Sequence, residues 1–239
     1  YYTVVKMSTV SFSTASSNGD ESVTSKDLTV NLSAVSTVDV DVAYTVTGTA
    51  TGVTDYTLAN GTLTIAAGQS SGTITIAGIV EDSSYELDET VIVTLTSTDV
   101  VLGTSAHTYT INDNDVAPTV DFNVTSSNGT ESASTVDLTV DLSASSYQSV
   151  LVDYKVTGTA TGGGTDYRLA DGTLTIAAGQ TSGTISIAVV DDTLDEAAET
   201  VIVTLSSPSN ATLGSDSAHT YTINDNDDAP TVDFNVTSS

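Results

Sequence analysis

Residues 107–115 read His-Thr-Tyr-Thr-Ile-Asn-Asp-Asn-Asp (HTYTINDND), and the same nine letters return at 219–227. The first half alternates as a half-buried strand does. The second half is a run of Asn and Asp, residues that end strands because their side chains cap turns. Each copy then runs through a short link into Ala-Pro, at Ala117-Pro118 and Ala229-Pro230. A strand that ends twice in alternating acids raises the question of what the carboxylates face.

Working outward, the duplication spreads over the whole chain. Thr9-Val10-Ser11-Phe12 returns as Thr119-Val120-Asp121-Phe122 and again as Thr231-Val232-Asp233-Phe234, at offsets of 110 and 112 residues. VTGTATG (46–52) recurs at 156–162, GTLTIAAGQ (61–69) at 172–180, and TVIVTL (90–95) at 200–205. The offsets drift by single residues, such as the extra glycine in TGGGTDY against TGVTDY. Such changes are tolerated in loops and at bulges, not within paired strands. This predicts an N-terminal segment (1–8), one repeat over 9–115, a linker at 116–118, and a second repeat over 119–227. Residues 228–239 would supply a link and the first strand of a third repeat. The short linkers, stiffened by proline, leave few free torsions.

Within each repeat the periodicity is that of strands. Val38, Val40, Val42, Tyr44 and Val46 alternate with mostly small or polar residues, and Leu28/Val30/Leu32, Ile74/Ile76, Val91/Val93/Leu95 and Tyr109/Ile111 do the same. Gly, Asn, Asp and Ser fall between these runs. No segment has helical spacing over several turns. About seven short strands in roughly 110 residues predict an all-β chain of tandem two-sheet antiparallel sandwiches of the immunoglobulin-like type.

Composition narrows the function. The chain has 239 residues, 31 acidic against 4 basic, for a formal net charge of −27. Nucleic acid and anionic membrane surfaces need positive charge, so neither is an expected partner. No apolar run is long enough for membrane insertion as a helix. With no cysteine there is no disulfide framework and no thiolate metal site. Clustered carboxylates repel one another unless protons or cations compensate.

The acids gather at expected strand ends and loops. In the first repeat these are Glu21, Asp55, Glu81, Asp82, Glu86, Asp113 and Asp115; in the second, Glu131, Asp166, Asp191, Asp192, Asp195, Glu196, Asp225 and Asp227. If one pole of each sandwich collects them, calcium suits the donor set, being a hard ion with about 6–8 oxygen ligands. The competing reading of NDND is a solvated strand end with Asx turns.

The ordered motifs GTATG…TDY…GTLTIAAGQ, VVDDTLDEAAETVIVTL and TYTINDND resemble the Calx-beta domain, over both full repeats. The resemblance implies calcium held at one end of each sandwich by fourteen of these acids, all but Asp195, with Asn114 and Asn226 in the middle of the final run offering amide oxygens. Glu81 stands where that family usually has aspartate, and each Asn removes a charge. Fewer ions or weaker binding are therefore expected, with the first repeat the weaker.

His107 and His219 occupy equivalent places and are expected to be exposed strand histidines. No nucleophile signal accompanies them, so no enzyme is expected. The resulting expectation is a calcium-binding, calcium-stiffened spacer of an extracellular surface protein, such as a bacterial adhesin. Its partners would be calcium, neighbouring repeats and, in a filament, other copies. The alternatives are a fibre subunit using strand addition and a carbohydrate- or protein-binding module.

Overall fold

The computed structural model describes residues 8–97 and 100–233, and the chain divides into two compact units, Tyr1–Asp115 and Val116–Ser239. Among the described residues all regular structure is strand. Unit 1 holds β1 (Thr9–Phe12), β2 (Ser16–Asp20), β3 (Ser25–Leu32), β4 (Val40–Gly48), β5 (Gly61–Ile65), β6 (Ser71–Ala77), β7 (Glu89–Thr96), β8 (Val101–Leu102) and β9 (Ala106–Asn112). Its two sheets run β6-β3-β1-β8 and β2-β9-β7-β4-β5. Unit 2 holds β10 (Thr119–Phe122), β11 (Ser126–Thr130), β12 (Val136–Leu142), β13 (Val150–Gly158), β14 (Tyr167–Arg168), β15 (Gly172–Ile176), β16 (Ser182–Val189), β17 (Glu199–Ser209), β18 (Thr212–Leu213) and β19 (Ala218–Asn224). Its sheets run β14-β16-β12-β10-β18 and β11-β19-β17-β13-β15.

Each unit is the expected two-sheet sandwich, with more strands than the seven or so anticipated. The additional ones are short or carry no apolar residues, as in β2 (Ser-Ser-Asn-Gly-Asp) and the two-residue β8. A second departure is parallel pairing: β2 runs parallel to β9, and β1 parallel to β8. The chain's first segment is thus split between both sheets, β1 in one and β2 in the other, as are β10 and β11 in unit 2.

Burial follows the period of two. In β9 the inward positions are His107, Tyr109 and Ile111, and in β7 they are Val91, Val93 and Leu95. Phe12, Leu28 and Ile76 close the core from the facing sheet, with Phe122, Leu138 and Ile187 in the same places in unit 2. Each such side chain contributes about 1.5–3 kcal/mol on burial. Val38 is 66% exposed and precedes β4 rather than extending it.

The histidines are the main correction to the sequence reading. His107 and His219 are 3% and 2% exposed, because they share the inward face of their strands with tyrosine and isoleucine. His107 Nδ1 lies 2.8 Å from the Thr14 carbonyl oxygen and Nε2 lies 2.8 Å from Ser17 Oγ. A carbonyl can only accept, so Nδ1 carries the proton and Nε2 accepts from the serine hydroxyl. The ring also packs against Phe12, with centroids 5.5 Å apart. Unit 2 repeats this set with Val124, Ser127 and Phe122. The buried imidazole therefore ties the β1–β2 crossover to β9.

Gly48 and Gly158, in the repeated VTGTATG, have φ of 137° and 133°. A Cβ on either would sit 2.0 Å from the carbonyl oxygen of Thr90 or Thr200. The close approach demands glycine, and it brings the loop after β4 onto the start of β7. Residues 231–233 form no strand. The rest of the expected third-repeat strand, 234–239, and residues 1–7 lie outside the described residues.

Candidate metal centre

Four chain segments meet at one pole of each unit, and strand register explains why. In unit 1 β2 and β9 run parallel with Asp20 opposite Asn112, so the residues that follow, Glu21 and Asp113, leave their strands side by side. The Glu21 N–H donates to the Asn112 carbonyl at 3.1 Å. β7 lies against β9 with Glu89 opposite Ile111, which sets Glu89 at the same end. The loop after β4 then delivers Asp55. Unit 2 has the same arrangement, with Thr130 opposite Asn224, Glu199 opposite Ile223, and the Glu131 N–H on the Asn224 carbonyl at 3.1 Å.

Among the described residues, three carboxylate groups bring ligand atoms within 4.8 Å of one another: Glu21/Asp113/Asp115, Glu131/Asp225/Asp227 and Asp166/Glu196/Glu199. In unit 1 a cleft of about 80 Å³ is lined by six acids, Glu21, Asp55, Asp82, Glu86, Glu89 and Asp113. The matching cleft in unit 2 is tighter, about 10 Å³, between Glu131, Asp166, Glu196, Glu199 and Asp225. The larger volume has room for several water-sized occupants and the smaller for about one.

Backbone donors orient the acids. The Glu86 N–H donates to Asp113 Oδ2 at 2.8 Å, and the Asp115 N–H to Asp113 Oδ1 at 2.9 Å. Glu196 and Asp227 do the same to Asp225, at 3.1 and 3.0 Å. These bonds to the charged form hold Asp225 below the usual aspartate range. Asp82 Oδ1 accepts from the Ser84 N–H at 2.6 Å, and Asp192 Oδ1 from that of Leu194 at 2.7 Å. Asp55 and Asp166 each accept from the N–H of a threonine in their own loops, Thr51 and Thr161.

Other acids are under electrostatic stress. Glu21 is 5% exposed, and its Oε1 is buried without a hydrogen-bond partner. Burial first, then the charges of Asp113, Glu81, Asp115 and Asp82, push its carboxyl up to about 7. Glu86 and Glu89 also rise to about 7, chiefly through burial. The charges of Asp82, Asp55, Asp113 and Asp115 add to this for Glu86; for Glu89 a side-chain hydrogen bond with Asp55 adds, then the charges of Asp55 and Glu86. In unit 2 burial likewise raises Glu131, Glu196, Glu199 and Asp227. A buried carboxylate oxygen with nothing to accept from is costly unless a proton or cation faces it.

The donors are all hard oxygens. Both histidines are committed elsewhere, and cysteine is absent. That chemistry fits calcium and disfavours zinc or copper.

The structure thus gathers most of the expected residues. Glu21, Asp55, Asp82, Glu86, Asp113 and Asp115 sit at the pole of unit 1, and Glu131, Asp166, Glu196, Asp225 and Asp227 at that of unit 2. Asp191 and Asp192 stand at the rim, exposed, and their charges raise Asp227. Glu81 is exposed and turned to the Asn114 amide. Glu89 and Glu199 were missed. The signal was present, since Asp88-Glu89 and Ala198-Glu199 immediately precede the two TVIVTL runs, but a glutamate at the first residue of a strand reads as part of its solvent face.

The Calx-beta domain model matches residues 6–115 and again 112–227. The chain therefore belongs to the Calx-beta family, as two tandem domains of that calcium-binding fold. Among solved structures it is similar to CBD12 from CALX1.2, at 19% identity and TM-score 0.43 over 90% of this chain and 99% of that one. It is similar also to the calcium binding domain CBD12 of CALX1.1, at 23% identity and TM-score 0.42 over 87% and 82%. A putative carbohydrate binding protein from Bacteroides ovatus matches at 15% identity and TM-score 0.39 over 82% and 64%. No curated protein sequence matches the chain.

Proposed function

We propose that the chain is a calcium-stiffened spacer from an extracellular surface protein, with calcium taken up at the acidic pole of both units. One observation carries this reading: the buried, unpartnered Oε1 of Glu21, placed among Asp113 and Asp115. Glu21, Asp113, Asp115, Asp55, Glu86 and Glu89 would hold calcium in unit 1, with Glu81, Asp82 and the Asn114 amide oxygen at the edge. Glu131, Asp225, Asp227, Asp166, Glu196 and Glu199 would hold it in unit 2, with Asp191 and Asp192 at the rim. The ion supplies positive charge, which removes the mutual repulsion and satisfies the orphaned oxygens.

The chain's own part is mechanical. In each unit the ligand set joins the end of β2 or β11, the loop after β4 or β13, the acidic loop with the start of β7 or β17, and the end of the last strand. Securing that last strand end also orders the root of the short linkers at 116–118 and 228–230, where few torsions remain. Calcium at millimolar extracellular levels would keep even weak sites filled. A net charge of −27 keeps such a chain soluble.

The test is a distance distribution between one spin label in each unit, recorded in EGTA, in calcium and in magnesium. Narrowing with calcium alone supports the spacer. An equally broad distribution in all three overturns the stiffening role.

A further inference from the structure

Both units carry asparagine at the middle of their final acidic run, but its side chain is oriented differently in each. In unit 1 the Asn114 side-chain amide donates through Nδ2 to both carboxylate oxygens of Glu81, at 3.3 and 3.1 Å. The reverse orientation would set a carbonyl oxygen against a carboxylate, so the donor end must face Glu81. In unit 2 the matching Asn226 shows its other end. Its Oδ1 accepts from the Ser132 N–H at 3.2 Å, while its own N–H donates to Glu131 Oε1 at 3.2 Å. The repeat position that matches Glu81 is Asp191, one methylene shorter, and its charge acts on Asp227.

We propose that Asn114 acts as a built-in substitute for a cation at the rim of unit 1, clamping Glu81 in the calcium-free state and setting unit 1 to load at higher calcium than unit 2. This rests on the calcium reading above. For calcium to draw on both Glu81 and the Asn114 oxygen, the amide contact must break, because Asn114 has to rotate to present oxygen instead of nitrogen. Among the described residues Asn226 makes no such contact, and its oxygen already accepts from Ser132 in the loop after β11. The substitute offers two donors but no charge, so Glu81 is held while its repulsion on Glu21 and Asp115 persists. Asn114 is thus a positioning residue whose effect appears as an affinity difference between the two units.

The experiment uses the full chain and four variants: Asn114→Asp, Asn226→Asp, Glu81→Gln and the double N114D/E81Q. Melts in EGTA read the clamp without calcium. Calcium titrations followed by NMR, at the backbone amides of Asp115 and Asp227, read each unit separately. N114D is expected to lower melting in EGTA by roughly 2–6 °C and to shift unit 1 loading to calcium at least about fivefold lower. E81Q added to it should restore melting, because the like-charge pair is gone, and the double-mutant cycle isolates that coupling. N226D should leave melting in EGTA within about a degree. Unchanged melting for N114D, or wild-type units that load at the same calcium, would overturn the proposal. A wild-type chain that takes up no calcium would defeat the preceding function, whereas the EGTA arm judges the Asn114–Glu81 clamp by itself.

Discussion

A carboxylate oxygen of Glu21 lies within 4.8 Å of one on Asp113, although the two leave different strands at opposite ends of the domain's sequence. The parallel pairing of β2 with β9 imposes this approach, and the Glu21 oxygen it buries has no internal partner. Replacing Glu21 by Gln removes a charge that burial disfavours while keeping the shape. In EGTA, Glu21→Gln is expected to raise the melting temperature of unit 1 by a few degrees, about 1 kcal/mol. In calcium it should lose at least half of the wild-type stabilisation. Differential melts in both conditions check it.

Protons and calcium should compete at unit 1. Glu21, Glu86 and Glu89 titrate near 7 when folded, against about 4.5 ordinarily. A raised acid pKa stabilises the fold below the ordinary value, and that contribution disappears as pH rises through the folded value. In EGTA, stability should therefore fall between about pH 4.5 and 7.5, and calcium should flatten the slope. Calcium added near pH 7 should release protons, measurable by titration calorimetry in buffers of different ionisation enthalpy. A calcium-free chain that grows more stable over this range would contradict the assignment.

Glu199 shares a group with Asp166 and Glu196, and Glu89 lines the corresponding cleft. Glu199→Gln and Glu89→Gln should each weaken calcium uptake in their own unit about tenfold or more, with no loss of melting temperature in EGTA. Calcium titration of each variant decides this. Destabilisation in EGTA with unaltered affinity would make these glutamates structural.

His107 predicts a different pattern. Its imidazole is buried, hydrogen bonded at both nitrogens and packed on Phe12. His107→Ala should cost about 2–4 kcal/mol through a cavity and unsatisfied partners, visible in urea melts of the calcium-free chain. Calcium affinity should stay within about twofold.

What the sequence disclosed, and what it hid, follows from the local character of its signals. The repeats and the alternation in β3, β7 and β9 made the all-β sandwich legible, because burial of every second residue leaves a direct mark. β2 left none: Ser-Ser-Asn-Gly-Asp has no apolar residue and is a strand only through its pairing with β9. That pairing decides which acids meet, so Glu21 beside Asp113 could be inferred only from the family resemblance. His107 was misread because its polar label outweighed its phase with Tyr109 and Ile111. Glu81 was identified as a departure from the family pattern, but its contact with Asn114 depends on side-chain orientation, which composition does not encode.

The most direct test of the central claim is a thermal melt of the intact chain in EGTA and across a calcium series, with magnesium as control. If calcium fills sites of extracellular strength, 10 mM should add about 1.4–2.7 kcal/mol per ion, a rise of roughly 5–15 °C. Magnesium should do far less. Asp113→Asn with Asp225→Asn should abolish the calcium shift. An unchanged melting temperature up to 10 mM calcium would contradict the account and leave the acidic poles as solvated strand ends.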